Sequence, residues 1–238
     1  MTKFIVSVSD IEKKYKNKNI LNGINFEIYS EEVYSLLGVN GAGKTTLIKC
    51  LLNFHGIDNG NIKLFDIDSH ETVSRKNMAY LPERFLPPHY FNGQQFLNYI
   101  FELHKVKKEQ SVILKMFDDL DLSKDILTKP VHKFSKGMAQ KLGLAALLLL
   151  DKKLLILDEP MSGLDPKARA LVKRQLKLAK EKGKTIFFSS HLLADVEELS
   201  DRIGILHEGS IAFCGSPAEC KQQYNADTLE QAFLNCID

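Results

Sequence analysis

The chain has 238 residues, of which 44% are hydrophobic, enough for a substantial core in one large domain or a domain with an inserted lobe. Its 32 basic and 30 acidic side chains leave a formal charge of +2, so the charge balance does not indicate a nucleic-acid partner. The four cysteines lack CxxC or metal-ligand spacing, which is typical of reduced thiols in the cytosol. The longest apolar run, residues 144–150, falls well short of the ~20 residues that span a bilayer. Any membrane association is therefore expected to come through a partner.

Short, largely apolar runs predict strands that are buried on both faces, as in an α/β core. They lie at residues 32–37, 154–157, 185–189 and 202–206. Helical spacing begins at Lys44, after the first run, and returns over residues 166–182. The alternation of strand and helix is typical of a doubly wound sheet.

The pattern changes over residues 84–150, where the apolar positions follow helical faces. One face carries Phe96, Leu97, Ile100 and Leu103, and another carries Val112, Ile113, Met116, Phe117 and Leu120. Since no solenoid repeat and no linker-like stretch is present, the prediction is a single domain over residues 1–238. Its α/β core takes residues 1–83 and 151–238, and a helical subdomain takes residues 84–150.

The strongest motif lies between the first apolar strand and its helix, where residues 38–46, GVNGAGKTT, satisfy G-x-x-x-x-G-K-[ST]. Glycines let successive N–H groups point at phosphate oxygens, and the helix N-terminus adds partial positive charge. Lys44 is expected to reach the β- and γ-phosphates, and Thr45 to offer its hydroxyl to Mg²⁺. A glycine-rich turn with a chance lysine is the weaker alternative. The other predicted nucleotide contacts of this P-loop are Gly38, Asn40, Gly41, Ala42, Gly43 and Thr46.

A second apolar strand ends in two consecutive carboxylates, Asp158 and Glu159. Side chains alternate in direction at a strand end, so the two acids have different tasks. Asp158 suits Mg²⁺, directly or through water, while Glu159 suits the general base that polarises an attacking water. A strand that merely meets a solvated turn is the alternative, and the P-loop makes it the weaker one.

These motifs, in this order, resemble the nucleotide-binding domain of ABC transporters over nearly the whole chain. Residues 134–140, FSKGMAQ, resemble the family signature, usually LSGGQ, and Asp165 resembles the aspartate of the D-loop. His191 resembles the switch histidine, and Tyr15 stands where the family places an aromatic ring against adenine. The resemblance implies an α/β P-loop NTPase core with an antiparallel β subdomain and an inserted α-helical subdomain.

The resemblance also implies a head-to-tail dimer, in which each ATP lies between the P-loop of one subunit and the signature of the other. The signature residues that would contact the ATP of the partner are Ser135, Lys136, Gly137 and Met138. Taken alone, Ser135 is either an ordinary helix N-cap or part of a second anion site at a positive helix end. A homodimer of ATPase subunits is the expected assembly.

The other two resemblances have simpler alternatives. Tyr15 stands among lysines and by itself is typical of an exposed aromatic residue in a basic loop. His191 by itself is more typical of a structural histidine. The resemblance instead assigns Tyr15 to stacking on adenine, and His191 to a hydrogen bond with the γ-phosphate that helps hold the attacking water. The absence of an N-K-x-D element, typical of GTPases, is consistent with ATP.

Two positions depart from the family pattern. Glu83 stands where the family's Q-loop usually has glutamine, so a contact with Mg²⁺ is kept while donation of a hydrogen bond is lost in the ionised form. Lys136 replaces a signature glycine, which adds positive charge beside the expected γ-phosphate and limits how closely the backbone can approach it.

The function implied by the resemblance is ATP hydrolysis that powers transport, with ATP and Mg²⁺, through a separate transmembrane permease at the cytoplasmic face of the membrane. Export is the favoured direction, because the short tail and the motif spacing are similar to those of exporter-type subunits. Phe85, Leu86, Tyr90 and Phe91 fit either a permease-docking surface or a packed core. The alternative is a soluble ABC-type ATPase that acts on nucleic acid or ribosomes, although no nucleic-acid element is visible.

Overall fold

The computed structural model describes residues 3–238, which form two β-sheets and eight α-helices. The strands are β1 (Phe4–Tyr15), β2 (Lys18–Tyr29), β3 (Val33–Leu37), β4 (Asn59–Leu64), β5 (Ile67–Asp68), β6 (Met78–Leu81), β7 (Leu154–Asp158), β8 (Thr185–Ser190), β9 (Arg202–His207) and β10 (Ser210–Gly215). The helices are α1 (Lys44–Leu51), α2 (Gly93–Leu103), α3 (Gln110–Asp119), α4 (Lys136–Leu149), α5 (Pro166–Glu181), α6 (Leu193–Leu199), α7 (Pro217–Gln223) and α8 (Leu229–Ile237).

The larger sheet has the strand order β10-β9-β3-β8-β7-β6, and every neighbouring pair except β9 and β10 is parallel. Every residue of β3, β7 and β8 is buried, as expected for central strands of a parallel sheet covered on both faces. In a parallel sheet the carboxyl ends of neighbouring strands meet at one edge. The segments that follow β3, β8 and β7 therefore lie side by side.

The smaller sheet is antiparallel, with the order β2-β1-β4-β5. Its apolar face shares a core with α1 and with one face of the larger sheet, to which Leu154 and Ile156 of β7 contribute. Leu155 and Leu157, one position along, belong instead to the core shared with helices α2 to α8. Because side chains alternate along a strand, β7 packs against both cores, one on each face of the larger sheet. The predicted fold class, with its antiparallel β subdomain and helical insertion, is confirmed.

Helices α2, α3 and α4 lie within residues 84–150. Asn92 starts α2 with a capping box, since its side chain accepts from the amide of Gln95 and the Gln95 side chain accepts from the amide of Asn92. The predicted apolar faces are mostly buried, and Phe117 is fully so, while Leu103 and Val112 are exposed. The central part of each face therefore carries the packing.

Five element boundaries differ by one residue from those expected by sequence: β7, β8 and β9 each end one residue later, β3 starts one residue later, and α5 ends one residue earlier. Strand β3 begins at Val33 rather than Glu32, because the Glu32 carboxylate accepts a hydrogen bond from the amide of Tyr29 at 2.7 Å and closes the preceding turn. Helix α5 ends at Glu181, just before Gly183, whose φ of 78° is left-handed and typical of a helix end. Within residues 3–238, no helix combines the length and apolar character needed to cross a membrane.

Candidate functional site

The P-loop joins β3 to α1 through backbone conformations that require glycine. Gly41 and Gly43 have φ values of 85° and 110°, in the left-handed region that side chains disfavour. A Cβ atom on Gly38 would lie 2.7 Å from the carbonyl oxygen of Leu206. Within residues 3–238, no side chain caps the first turn of α1. Its amide groups are therefore available to an anion.

Lys44, the first residue of α1, is folded back over the loop. Its Nζ donates to the carbonyl oxygen of Gly38 at 2.6 Å and to that of Val39 at 3.4 Å. The same atom lies 3.6 Å from Oε1 of Glu159. Lys44 is only 7% exposed, and these oxygens compensate for the loss of hydration around its charge. The ammonium group is thus held in place at the mouth of the loop.

Asp158, the last residue of β7, is held by two hydroxyl groups. Thr45 Oγ1 donates to its Oδ2 at 3.0 Å, and Ser189 Oγ donates to its Oδ1 at 2.6 Å. Burial raises the pKa of the Asp158 carboxyl and outweighs the two hydrogen bonds, which lower it. The carboxylate and the Thr45 hydroxyl supply the hard oxygen ligands that Mg²⁺ prefers. The described residues therefore fit this ion.

Ser189 is a site residue that the sequence motifs do not include. It pairs with Asp158 across the parallel strands β7 and β8, and its Oγ also accepts from the amide of Glu159 at 3.0 Å. The one available signal is a pair of serines that ends the buried strand β8 at the same edge as the acidic pair. Strand order is needed to interpret that signal.

Glu159 turns away from the line of β7, since its φ of 48° is in the left-handed region. Its Oε2 atom lies 2.9 Å from Nδ1 of His191, while its Oε1 faces Lys44. Glu159 is buried, whereas the His191 side chain is 45% exposed. The Glu159 carboxylate is thus fixed between one ammonium group and one imidazole.

A single cavity of about 490 Å³ brings most of the predicted nucleotide residues together, a size within the usual range for ligand sites. Its walls are Tyr15, Ile20, Val39, Asn40, Gly41, Gly43, Lys44, Thr45, Thr46, Glu83, Glu159, Ser162 and His191. Ile20, Val39 and Ser162 were not predicted. Gly38 and Ala42, which were predicted as nucleotide contacts, do not line this cavity; a Cβ atom on Gly38 would lie 3.2 Å from the Cβ atom of Ala42.

The signature lies outside this cavity. Ser135 caps α4 by accepting from the amide of Met138 at 3.2 Å, and it lines a separate groove together with Lys136. Lys136 Nζ lies 3.4 Å from Ser162 Oγ, and Asp165 caps α5 by accepting from the amide of Ala168 at 2.9 Å. Among residues 3–238, most of the P-loop, Glu159 and His191 thus share one cavity that excludes the signature, while the buried Asp158 lies behind Thr45 and does not line it.

The Asp158→Asn substitution is expected to stabilise the ATP-free protein at neutral pH, by on the order of 1 kcal/mol. Because the pKa of Asp158 is raised, the folded protein binds the carboxyl proton of Asp158 more tightly than the unfolded chain does. Ionisation of Asp158 therefore opposes folding. Wild-type protein therefore loses stability as the pH rises from the ordinary value of 3.8 through the native pKa. The advantage of the variant should shrink as the pH falls.

Urea unfolding at neutral and acidic pH measures this difference. Asp121→Asn is the matched control, because Lys167 lowers the pKa of the exposed Asp121 carboxyl and removal of that charge should not stabilise the protein. An Asp158→Asn protein that is less stable than wild type at neutral pH would contradict the electrostatic account.

Comparison with known proteins places this site in a family. The family model described as "ABC transporter" matches residues 21–162. A lantibiotic transport ATP-binding protein from Streptococcus pyogenes is 34% identical over 98% of this chain and 97% of its own length. An uncharacterized ABC transporter ATP-binding protein from Synechocystis sp. is 39% identical over 90% of this chain, and the match spans 64% of that relative.

Solved structures agree with the fold. A structure described as the ATP-binding subunit of an ABC transporter superposes with a TM-score of 0.86 at 25% identity, over 98% of this chain and 99% of that one. A dimeric ATP-binding cassette bound to ADP and Pi in a post-hydrolysis state superposes with a TM-score of 0.80 at 18% identity, over 89% and 98% of the two chains. The second likeness concerns the fold alone. The chain belongs to the ABC transporter family as an ATP-binding subunit, and it is an ATPase.

Proposed function

We propose that this subunit powers export through a separate membrane-spanning partner, and that two copies of it enclose each ATP. The observation that carries the proposal is the division of the predicted residues. Most of the P-loop, Glu159 and His191 share one cavity, while Ser135 and Lys136 of the signature line a different groove. Relatives named for lantibiotic and for bacitracin transport, each 34% identical to this chain, support a role in transport.

In this proposal the P-loop amides and Lys44 bind the β- and γ-phosphates. The negative charge of the phosphates competes with Glu159 for the Lys44 ammonium group, which lies 3.6 Å from the carboxylate. Glu159 is then free to accept a proton from water as the water oxygen attacks the γ-phosphorus and the bond to the β-phosphate oxygen breaks. His191 holds Glu159 through Nδ1, which leaves its other ring nitrogen for the γ-phosphate.

Thr45, Asp158 and Glu83 would hold Mg²⁺, which would supply positive charge to offset the negative charge of the phosphates. Glu83 lines the cavity, and it is among the charges that raise the pKa of Asp158. Two carboxylates, those of Glu83 and Asp158, would therefore attract a cation to this end of the cavity more strongly than one. Tyr15, 43% exposed at the cavity edge, would stack on adenine.

The second half of each site would come from the partner subunit. Ser135 accepts a hydrogen bond at the first turn of the 14-residue helix α4, and the helix end favours an anion. Lys136 adds a flexible positive charge beside Ser162. We propose that Ser135 to Met138 meet the γ-phosphate held by the other subunit, with Asp165 at the interface between the two copies.

The membrane partner would contact the loop that follows Glu83. Leu86 and Tyr90 are 84% and 70% exposed, which is costly for apolar groups without a partner. Phe85 and Phe91 are half-buried against the helical core, and the Phe85 ring centroid lies 5.4 Å from that of Phe96. We therefore propose Leu86 and Tyr90 as the docking groups, at the cytoplasmic face of the membrane.

The Glu159→Gln substitution tests the general base. ATP affinity should be kept or increased, because the variant no longer competes for Lys44, while turnover should fall by about 10²- to 10⁴-fold and a closed dimer should accumulate. Single-turnover hydrolysis, nucleotide titration and size-exclusion chromatography measure the three effects. Lys44→Ala is the comparison variant, since it should weaken ATP binding itself. Unchanged hydrolysis in Glu159→Gln would exclude Glu159 as the base.

Mixing two inactive variants tests the composite site. Ser135→Asp keeps an N-cap of similar strength but places a negative charge against the phosphate, so it should abolish hydrolysis without unfolding α4. Lys44→Ala disables only the P-loop. A mixture of the two proteins should regain activity, because each mixed dimer has one site with an intact P-loop and an intact signature. If both halves of a site belonged to one chain, mixing would restore nothing.

A pull-down from detergent-solubilised membranes tests the transport role. The tagged subunit should recover a membrane-spanning protein, and Leu86→Asp should lower the recovery at least several-fold by placing a charge in an apolar contact. Leu234→Asp, at a half-exposed position on α8, is the matched control and should leave recovery unchanged. Recovery of ribosomes or nucleic acid in place of a membrane protein would favour the soluble alternative.

A further inference from the structure

The ring of Tyr15 is held at the cavity edge by a side chain outside the sequence motifs. Its hydroxyl group forms a hydrogen bond with Nδ1 of His55. The two rings also meet edge to face, with centroids 5.8 Å apart and an interplanar angle of 82°. Lys13 Nζ lies 5.5 Å from the centroid of the Tyr15 ring. Although Tyr15 is 43% exposed, its orientation is thus set from two sides.

The segment that carries His55 is itself anchored to the helix of the phosphate site. It follows α1 directly, and the amides of Phe54 and His55 both donate to the carbonyl oxygen of Lys49, at 2.8 and 3.2 Å. The other end of α1 begins at Lys44, beside the P-loop. A short, rigid helix therefore connects the phosphate-binding end of the cavity with the support of the Tyr15 ring.

The same segment is also tied to the end of β1, just before Tyr15. Asp58 accepts from the amide of Lys14 at 2.6 Å and from Nζ of Lys13 at 3.2 Å, and its own amide donates to the carbonyl oxygen of Glu12 at 2.9 Å. The hydrogen bonds from Lys13 and Lys14 lower the pKa of the Asp58 carboxyl, which keeps it ionised as an acceptor. Hydrogen bonds thus join the segment that carries His55 to the end of β1.

We infer that His55 is a positioning residue, which orients the Tyr15 ring for the nucleotide base. The inference rests on the proposed contact between Tyr15 and adenine. An exposed tyrosine without this hydrogen bond would have to lose its rotational freedom when the base binds. A ring already fixed by His55 avoids that cost. Because His55 does not line the cavity, its effect should reach the base and not the phosphates.

Two variants of His55 separate the hydrogen bond from packing. His55→Phe keeps an aromatic edge against Tyr15 but removes the nitrogen, while His55→Asn restores a polar atom near the position of Nδ1. Isothermal titration with Mg²⁺ compares ATP with inorganic tripolyphosphate, which has no base. His55→Phe should weaken ATP binding about threefold to tenfold, the effect of one lost hydrogen bond, and leave tripolyphosphate unchanged. His55→Asn should recover part of the affinity.

Steady-state kinetics should show the same division, with KM for ATP raised in His55→Phe and kcat unchanged. His70→Phe is the matched control, because His70 is an exposed histidine whose Nδ1 contacts Asp68 in another loop. Tyr15→Phe should match His55→Phe, and the double variant should be no weaker than either, since both remove the same hydrogen bond. Additive losses in the double variant would overturn the inference.

Tyr15→Ala distinguishes failure of this inference from failure of the base contact. If Tyr15→Ala weakens ATP binding while His55→Phe does not, the positioning role of His55 is wrong and the base contact stands. If Tyr15→Ala leaves ATP binding unchanged, the base contact itself is wrong. Equal losses for ATP and tripolyphosphate in His55→Phe would assign His55 a structural role only and would also overturn the inference.

Discussion

The hydrogen bonds that converge on the buried carboxylate of Asp158 hold the phosphate site together. Thr45 reaches it from the start of α1, and Ser189 reaches it from the end of β8, so one side chain connects three separate segments. This contact exists because β7 and β8 are parallel neighbours whose carboxyl ends share an edge. The raised pKa of Asp158 reflects the free-energy cost of burying its charge at this junction. The carboxylate that joins these segments therefore carries a costly buried charge, which a cation would offset.

A second consequence of the same junction is that Glu159 starts a turn rather than extending β7. With its backbone in a left-handed conformation, it faces Lys44 on one side and His191 on the other. Opposite charges are thereby paired inside a low-dielectric cavity, where an unpaired charge would be costly. In the proposed mechanism, a bound triphosphate would replace Glu159 as the partner of Lys44. This exchange connects binding at the P-loop with release of the proposed base.

The signature does not join the cavity because it lies in the helical lobe and not at the carboxyl edge of the larger sheet. Ser135 starts α4 in the helical lobe, and its hydroxyl is used within the first turn of its own helix. Lys136 reaches only as far as Ser162, at the rim. The P-loop cavity and the start of α4, which we propose as a second anion site, thus lie in different grooves of the chain. The proposed head-to-tail pairing of two copies would bring both halves to one ATP.

The sequence by itself determined the chemistry of the P-loop, the acidic pair and the alternation of strand and helix. These signals are local, because glycine conformations, strand burial and helix starts depend on neighbouring residues. Only the tertiary structure decided which distant groups complete them. Ser189 lies 31 residues from Asp158, and His55 lies 40 residues from Tyr15. Neither spacing forms a motif, since strand order and helix packing, rather than sequence distance, bring those atoms into contact.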